Sequence, residues 1–352
     1  MNGSALLKTK GIILAGTYRW TNSMFDRLAP RPLLPVANRP LISYALSWLG
    51  QGGVCDVVLC TNRETGALQT RLAQYVPEEM RPQYHEDRVP QGSAGCLREA
   101  ACGSDAETFV VVDGTTIPSV ELGELLRSHH ASGAAVTVVV HNETPRNEKP
   151  GRWVPNGICI FERRTLTRIQ PRVFFDIKEH LIPVLYNSGE RVIAYSAHGA
   201  SPRVVDAATY LALNEWMVQR IAEGRARSNG HTADDVVDSG ALIAKDAVLV
   251  GPVMIGPGAR VRSGATIVGP TSIGAGSTVE CGGFVGRSAV WNRCVIGQEA
   301  VADRCILGDD VVVDPLARVF GTVKVVNGRS AVRGDQSSPR LHGTRGTVAA
   351  HA

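Results

Sequence analysis

The chain has 352 residues, of which 44% are hydrophobic and 20% charged, and its formal net charge is +4 at pH 7. This composition is typical of a globular protein and excludes a disordered or low-complexity chain. No apolar run approaches the ~20 residues of a membrane span, and the first apolar run is too short for a signal peptide. We therefore expect a cytoplasmic protein. The eight cysteines form no CxxC pair, so we expect small buried side chains and no cysteine zinc site.

The first part of the chain, up to position 225, alternates short apolar runs with helical patterns. Strands are predicted at 11–15, 54–60, 108–113, 135–141, 157–161 and 191–195, and helices at 40–50, 93–102, 119–132 and 205–223. Strands of nearly continuous Val and Ile that are separated by helices indicate a mixed, mainly parallel sheet covered on both faces. We therefore predict a Rossmann-like α/β domain over residues 1–225, followed by a polar linker at 226–240.

Beyond the linker the apolar pattern changes to a period of six. Apolar residues stand six apart at Ile243, Leu249, Ile255, Val261, Ile267, Ile273, Val279 and Val285, and the register loosens before it resumes at Leu307, Val313 and Val319. One inward apolar residue per short face is typical of a three-sided coil of about 18 residues. We predict a left-handed parallel β-helix at 241–326 and a disordered basic tail at 327–352.

The β-helix raises the alternative of a hexapeptide acyltransferase. Such enzymes need a general base, usually a histidine, and the sequence has none between His231 and His342. A structural role in oligomerisation is therefore the favoured interpretation of the coils. The tail carries four arginines and one aspartate. This small positive charge is too weak for us to expect nucleic-acid binding.

The opening segment KGIILAGTYRWTNSMFDRLAPRPLLPVANRPLISYAL resembles the sugar-phosphate nucleotidyltransferases, the NDP-sugar pyrophosphorylases. In that family a strand ends in LAGGxGTRL, and PKPLLPVxNKPLI follows at a fixed distance. The later segment VWNRCVIGQEAVADRCILGDDVVV resembles the C-terminal coils of mannose-1-phosphate guanylyltransferase-like proteins. The resemblance implies in-line attack of a sugar 1-phosphate on a nucleoside triphosphate, which needs phosphate-binding donors and a carboxylate-bound Mg²⁺.

The resemblance also implies which residues would bind the substrates. Its nucleotide contacts fall on Leu14, Ala15 and Gly16 after the first strand, and on Gln91, Gly92 and Ser93 of the QGSAG turn. Ser93 is expected to be the N-cap of the helix that follows. The sugar-phosphate contacts fall on Glu148 and Lys149 of the EKP tripeptide, and on Asn156 and Gly157.

Several positions depart from the family pattern. Thr17 and Arg19 replace loop glycines, Thr21 replaces the loop arginine, and Arg31 replaces a lysine. The two metal carboxylate positions hold Thr115 and Arg203, while Asp113 and Asp206 lie two and three residues away. Because side chains alternate direction along a strand, such displaced carboxylates are poor substitutes.

The interpretation that follows is a catalytically impaired homologue with no metal or cofactor. It would bind a nucleotide or nucleotide sugar, or act as a regulatory subunit, forming a homo-oligomer through the β-helix or a hetero-oligomer with an active paralogue. The alternative is an active Mg²⁺-dependent NDP-sugar pyrophosphorylase with a rearranged site, whose candidate catalytic residues are Arg19, Arg31, Asp113 and Asp206, with Lys149 on the sugar phosphate. An arginine at 203 that replaces the metal ion electrostatically is a further alternative.

Overall fold

The computed structural model describes residues 8–16, 25, 28–62, 65–87, 89–143, 152–197, 203–229 and 236–325, without the side chains of 225–229. The expectations for Thr17, Arg19, Thr21, Glu148 and Lys149 fall outside these residues, as does the tail at 327–352. Among the described helices, none has the length and apolar character needed to cross a lipid bilayer.

The first half of the chain alternates strands and helices. Its strands are β1 (Thr9–Leu14), β2 (Pro35–Val36), β3 (Arg39–Pro40), β4 (Val57–Thr61), β5 (Gln83–Glu86), β6 (Thr108–Asp113), β7 (Val136–Glu143), β8 (Arg152–Glu162) and β9 (Val192–Ser196). Its helices are α1 (Ile42–Gln51), α2 (Thr65–Leu72), α3 (Gly92–Ala101), α4 (Leu122–Ser132), α5 (Ile182–Asn187) and α6 (Ala207–Asn229). Short 3₁₀ turns lie at Arg31–Leu33, Ala73–Tyr75 and Arg163–Arg168, and a π turn at Ile177–Leu181 precedes α5.

Seven of these strands form one sheet in the order β5-β4-β1-β6-β8-β7-β9. Strand β8 runs antiparallel to β6 and β7, whereas the other neighbouring pairs are parallel. The central strands are buried because both faces are covered, Ile13 and Val110 packing beneath α1 and α4 and Ile12 and Phe109 beneath α3. The prediction of a mixed, mainly parallel sheet is confirmed.

The second half forms a three-sided parallel β-helix. Its strands are β10 (Val236–Val237), β11 (Leu242–Ile243), β12 (Val248–Val250), β13 (Val253–Ile255), β14 (Arg260–Val261), β15 (Thr266–Val268), β16 (Thr271–Ile273), β17 (Thr278–Val279), β18 (Phe284–Gly286), β19 (Ala289–Val290), β20 (Val295–Ile296), β21 (Val301–Asp303), β22 (Ile306–Leu307), β23 (Val312–Val313), β24 (Arg318–Phe320) and β25 (Val323–Lys324). Every third strand belongs to the same sheet, giving three parallel sheets of six, five and five strands.

The pairing explains why the six-residue pattern loosens after Val285. Val253 pairs with Thr271, but Ser272 pairs with Ala289, so the step from one strand to its partner in the next coil shortens by a single position. The later coils therefore have one face that is a residue shorter. The inward residue after Val285 is accordingly Val290 rather than the residue at 291, which is an outward-facing tryptophan.

One strand, the linker and the cysteines show where the fold differs from the sequence predictions. Strand β5 was not predicted, because its sequence QYHE has no apolar run and it lies at the sheet edge. Within the predicted linker, residues 226–229 continue α6, and β10 begins the first coil at Val236. Cys60, Cys294 and Cys305 are buried as expected, whereas Cys102 and Cys281 are exposed.

The coils pack against the α/β half through a buried cluster that we call the junction. Its centre is Tyr210 and Asn214 of α6, the Pro35–Ala37 segment, and Trp291 of the coils. The Trp291 indole Nε1 donates to the Tyr210 hydroxyl at 2.8 Å, and this hydroxyl donates to the Pro35 carbonyl. The Asn214 side-chain oxygen accepts from the Ala37 amide and the Ser272 hydroxyl. The two halves therefore share a hydrogen-bonded core.

Candidate active site

The carboxyl ends of the central parallel strands bring the first group of predicted residues together. Strand β1 ends at Leu14 opposite Asp113, the last residue of β6. The Ala15 amide donates to the Cys60 carbonyl, and the Gly114 amide donates to the Leu14 carbonyl at 2.9 Å. Ala15 is buried and Gly16 is exposed at the start of the loop. Ligands of open α/β sheets bind at this edge, so we take it as the candidate site.

Asp113 has both carboxylate oxygens engaged by neighbouring side chains. Its Oδ2 lies 2.5 Å from a guanidinium nitrogen of Arg203. Its Oδ1 accepts from the amide and the hydroxyl of Thr115, at 2.9 and 2.7 Å. The resemblance described above predicts that Thr115 and Arg203 stand at the two metal carboxylate positions of the family pattern. The structure thus places a cation and a hydroxyl against Asp113 where the resemblance implies a metal ion.

Backbone contacts hold Arg203 in this position. An isolated antiparallel bridge joins Arg203 to Thr116, and the next residue, Val204, is buried in the junction. The Arg203 Nε also lies 3.4 Å from the Thr115 hydroxyl. The pair with Asp113 therefore rests on an ordered segment rather than on one long side chain alone.

Asp206 has a structural role at the start of α6. Its Oδ1 accepts from the amide and hydroxyl of Thr209, both at 2.8 Å. These hydrogen bonds lower the pKa of the Asp206 carboxyl, and the nearby Arg31 lowers it further. The structure thus brings the candidates Arg31 and Asp206 near each other. Arg31 itself begins the 3₁₀ turn Arg31–Leu33.

The predicted nucleobase turn lies at the start of α3, and its serine is not the N-cap. Gln91 occupies the N-cap position, without a side-chain hydrogen bond. Ser93 instead donates to Asp176 and accepts from the Ile177 amide, both at 2.8 Å. The N-cap prediction for Ser93 is therefore wrong, because this side chain fastens α3 to the π turn rather than to its own helix. Burial raises the pKa of Asp176, but the Ser93 bond and backbone amides outweigh it and lower the pKa.

Gly92 fits the position that the turn requires. Its φ is +78°, and a Cβ there would lie 2.5 Å from the Phe175 carbonyl oxygen. That carbonyl accepts from the amides of Ala94 and Gly95 at the start of α3. Glycine is needed here for both its backbone conformation and the close approach.

Asp87, which no sequence motif marks, lies just before this turn. Its side chain is only 6% exposed. Its Oδ2 accepts from the Gln91 amide at 3.3 Å and the Cys96 thiol at 3.4 Å, while its Oδ1 has no hydrogen-bond partner among the described residues. A buried oxygen without a donor costs about 1–3 kcal/mol, and more for a charged group. Asp87 is thus a strong acceptor beside the predicted base-binding turn.

The sugar-side residues of β8 lie beside Asp113. Gly157 has φ +89°, and a Cβ there would lie 2.7 Å from the Thr116 hydroxyl and 3.0 Å from the Asp113 Cβ. Asn156 is buried, its carbonyl accepts from the Thr116 hydroxyl, and its side-chain oxygen accepts from the Ile158 amide. The fold therefore unites Asn156 and Gly157 with the β1 and β6 ends.

Comparison with known proteins agrees with this geometry. Residues 26–151 match the family model described as nucleotidyl transferase. A mannose-1-phosphate guanylyltransferase of Mycobacterium tuberculosis is 23% identical over 250 residues, 65% of this chain and 69% of that protein. Mannose-1-phosphate guanyltransferases of Candida albicans (29% identical; 44% of this chain, 42% of that protein) and Aspergillus oryzae (28%; 51% and 57%) are also similar. The matches thus span about half the length of these two fungal proteins.

Proposed function

Since this chain belongs, through its α/β domain, to the sugar-phosphate nucleotidyltransferase family, we propose that it binds a nucleotide or nucleotide sugar without performing Mg²⁺-dependent transfer. The observation that carries this proposal is the ion pair between Asp113 and Arg203. A guanidinium at this carboxylate supplies positive charge to a bound phosphate group and needs no metal ion to do so.

The residues at this edge do not fit a magnesium site. Mg²⁺ is usually bound by one or two carboxylates and keeps near-ideal octahedral geometry. Thr115 and Arg203 supply no carboxylate, and Asp113 is already occupied by both of them. The Asp206 carboxylate is already hydrogen-bonded to the Thr209 amide. We therefore derive no catalytic step through a metal ion here.

Asp87 favours a guanine nucleotide as the ligand. Guanine presents the N1–H and the N2 amino group side by side, and a carboxylate accepts two such donors at once. The Asp87 Oδ1 is buried and has no donor among the described residues, so a base against the Gln91–Ser93 turn would satisfy it once the turn moves enough to expose this oxygen. The names of the similar proteins, which are guanylyl- or guanyltransferases, support the same choice.

The test is calorimetric titration of the full chain with GDP, GDP-mannose and UDP-glucose, each with Mg²⁺ and with EDTA. We expect guanine nucleotides to bind best and EDTA to leave their affinity nearly unchanged. Asp87→Asn should weaken GDP binding about tenfold, the loss of one charged hydrogen-bonding site. The exposed Asp105→Asn is the matched control and should bind like the wild type.

Two results would contradict the proposal in different ways. Absence of binding by every nucleotide would refute the binding function itself. Steady release of nucleoside triphosphate from an NDP-sugar and pyrophosphate would refute the impaired reaction and establish the second candidate, an active pyrophosphorylase. That candidate is favoured by the enzyme names of the similar proteins. Asp113 at the end of β6, and Arg31 close to Asp206, would be its displaced charged groups.

We further propose that such a nucleotide-binding chain acts within an oligomer, as a regulatory subunit of an active paralogue. The outward faces of the coils support association, since Val248, Val250 and Phe320 are about half exposed. The check is to mix the chain with an intact paralogue and measure transferase turnover with and without GDP-mannose. Unchanged turnover and separate sedimentation of the two chains would exclude this role.

A further inference from the structure

A second group of chemically active side chains lies at the opposite end of the sheet from the candidate active site. Strand β6 begins at Thr108 and ends at Asp113, so the two ends are roughly 17 Å apart at ~3.3 Å per residue. At the Thr108 end, β8 finishes with Glu162, and the last turn of α4 contributes His129 and His130. These residues lie apart from the candidate active site.

The three titratable side chains converge on one point. The ligand atoms of His129, His130 and Glu162 all lie within 4.8 Å of one another. The shortest separation is 3.0 Å, between His129 Nε2 and Glu162 Oε1. Tetrahedral zinc with bonds of about 2.0–2.1 Å places its ligand atoms ~3.4 Å apart. His130 is exposed, so a small rotation of its ring can close the longer separations.

The surrounding hydroxyls orient these groups as the outer shell of a metal site does. His129 is fully buried, and its Nδ1 lies 2.6 Å from the Thr137 hydroxyl. A hydroxyl that accepts from Nδ1–H leaves Nε2 unprotonated and directed at Glu162. The Thr108 hydroxyl donates to Glu162 Oε1 at 3.1 Å and lies 3.3 Å from His130 Nε2.

We propose that His129, His130 and Glu162 bind one divalent transition-metal ion, with zinc as the best match. Two imidazoles and one carboxylate form a ligand set that zinc commonly takes, and the partly exposed Glu162 leaves room for a water molecule as fourth ligand. The ligand set contains no cysteine, so a cysteine pattern could not reveal it. Bound metal would join the end of α4 to the edge of β6 and β8.

The experiment uses the full chain after removal of metals with a chelator. Titration with zinc should show one ion per chain, and cobalt in its place should give the visible absorption of tetrahedral coordination. His130→Ala and Glu162→Gln should each weaken zinc binding by about tenfold or more, since each removes a direct ligand. His85→Ala, which removes a half-buried histidine from β5, is the matched control and should bind zinc normally.

Circular dichroism checks that the variants fold, and exposed His130 is the ligand whose replacement disturbs packing least. A chain that takes up no zinc would overturn the proposal, and the group would then be a hydrogen-bonded His–Glu pair alone. Stoichiometric uptake that neither His130→Ala nor Glu162→Gln weakens would overturn it as well.

Discussion

Arg203 is a single residue whose charge decides what the candidate active site can attract. Its side chain is 44% exposed and that of Asp113 is 24% exposed, so their ion pair is well screened by water. Pairs of this kind contribute about 0–1 kcal/mol to stability. The pair therefore matters little for folding, and Arg203 can be replaced without unfolding the chain. Under the proposed function, its main effect is on the charge that a bound nucleotide would meet.

Replacing Arg203 with aspartate should create a dependence on magnesium that the wild type lacks. Arg203→Asp would place a second carboxylate beside Asp113, which is the arrangement that Mg²⁺ prefers. We expect GDP-mannose to bind at least about tenfold more tightly with Mg²⁺ than with EDTA in this variant, a difference of about 1.4 kcal/mol. Calorimetric titration measures it.

Arg203→Ala separates the two parts of that prediction. It removes the cation without adding a carboxylate, so it should lose affinity for phosphate groups and remain insensitive to Mg²⁺. Mg²⁺-dependent binding by the wild type, or by Arg203→Ala to the same extent as by Arg203→Asp, would show that Arg203 does not exclude the ion.

At the scale of single residues, the sequence predicts which residues stand at the motif positions better than it predicts what their side chains contact. A comparison of motifs locates Thr115 and Arg203, but their contact with Asp113 depends on the bridge between Thr116 and Arg203, which lie far apart in the sequence. Ser93 is a residue type that favours the N-cap position, yet its partner Asp176 comes from a distant segment. Asp87 belongs to no quoted motif, and its burial appears only once α3 packs over β4.

Helix α3 presents the turn that we propose binds the nucleobase, and the glycine at its start and the one just beyond its end separate two physical effects. Gly92 and Gly103 both have positive φ, +78° and +73°. A Cβ at Gly92 would meet the Phe175 carbonyl, whereas a Cβ at Gly103 would have nothing within 4 Å. Gly103→Ala should cost about 1 kcal/mol of backbone strain, and Gly92→Ala about 1–3 kcal/mol more from the steric clash.

Urea unfolding of both variants measures this difference. Gly92→Ala should also weaken GDP binding, because the Phe175 segment and the turn must move apart, while Gly103→Ala should leave binding intact. Equal stability losses in the two variants would mean that Phe175 does not constrain the turn.

The elements themselves were largely readable from periodicity. Continuous Val and Ile runs predicted the central strands, and β6 was predicted with its observed bounds, Thr108–Asp113. The six-residue period predicted the coils, but the shortening of the later coils by a single position shifts the inward residue to Val290. The residue missing from a corner of the later coils is not part of the apolar pattern, so the sequence does not show where it was lost. The sequence pattern did not predict strand β5, because a strand at the sheet edge needs no alternation of apolar residues.

At the scale of the whole molecule, the coils support the segment that follows Arg31. The Asn38 side chain donates to the Ile273 carbonyl at 2.8 Å, and Asn214 joins Ala37 to Ser272. The β-helix thereby fixes the Pro35–Ala37 segment in the junction, and the same buried cluster contains Val204, the neighbour of Arg203 in the candidate site. Sequence patterns predicted two halves but not this contact, because it depends on outward residues of the coils.

Replacing Trp291 should therefore uncouple the halves. Its side chain is 5% exposed and bonds to Tyr210, so Trp291→Ala should cost about 3–5 kcal/mol. The coils keep their own inward core, so we expect calorimetry to show one unfolding transition in the wild type and two in the variant, the α/β half melting first. Trp153→Ala is the matched control, because that tryptophan is 55% exposed and its loss should change stability by about 0.5 kcal/mol or less. A single unshifted transition in Trp291→Ala would show that the junction does not couple the two cores, and the support of the site by the coils would then fail with it.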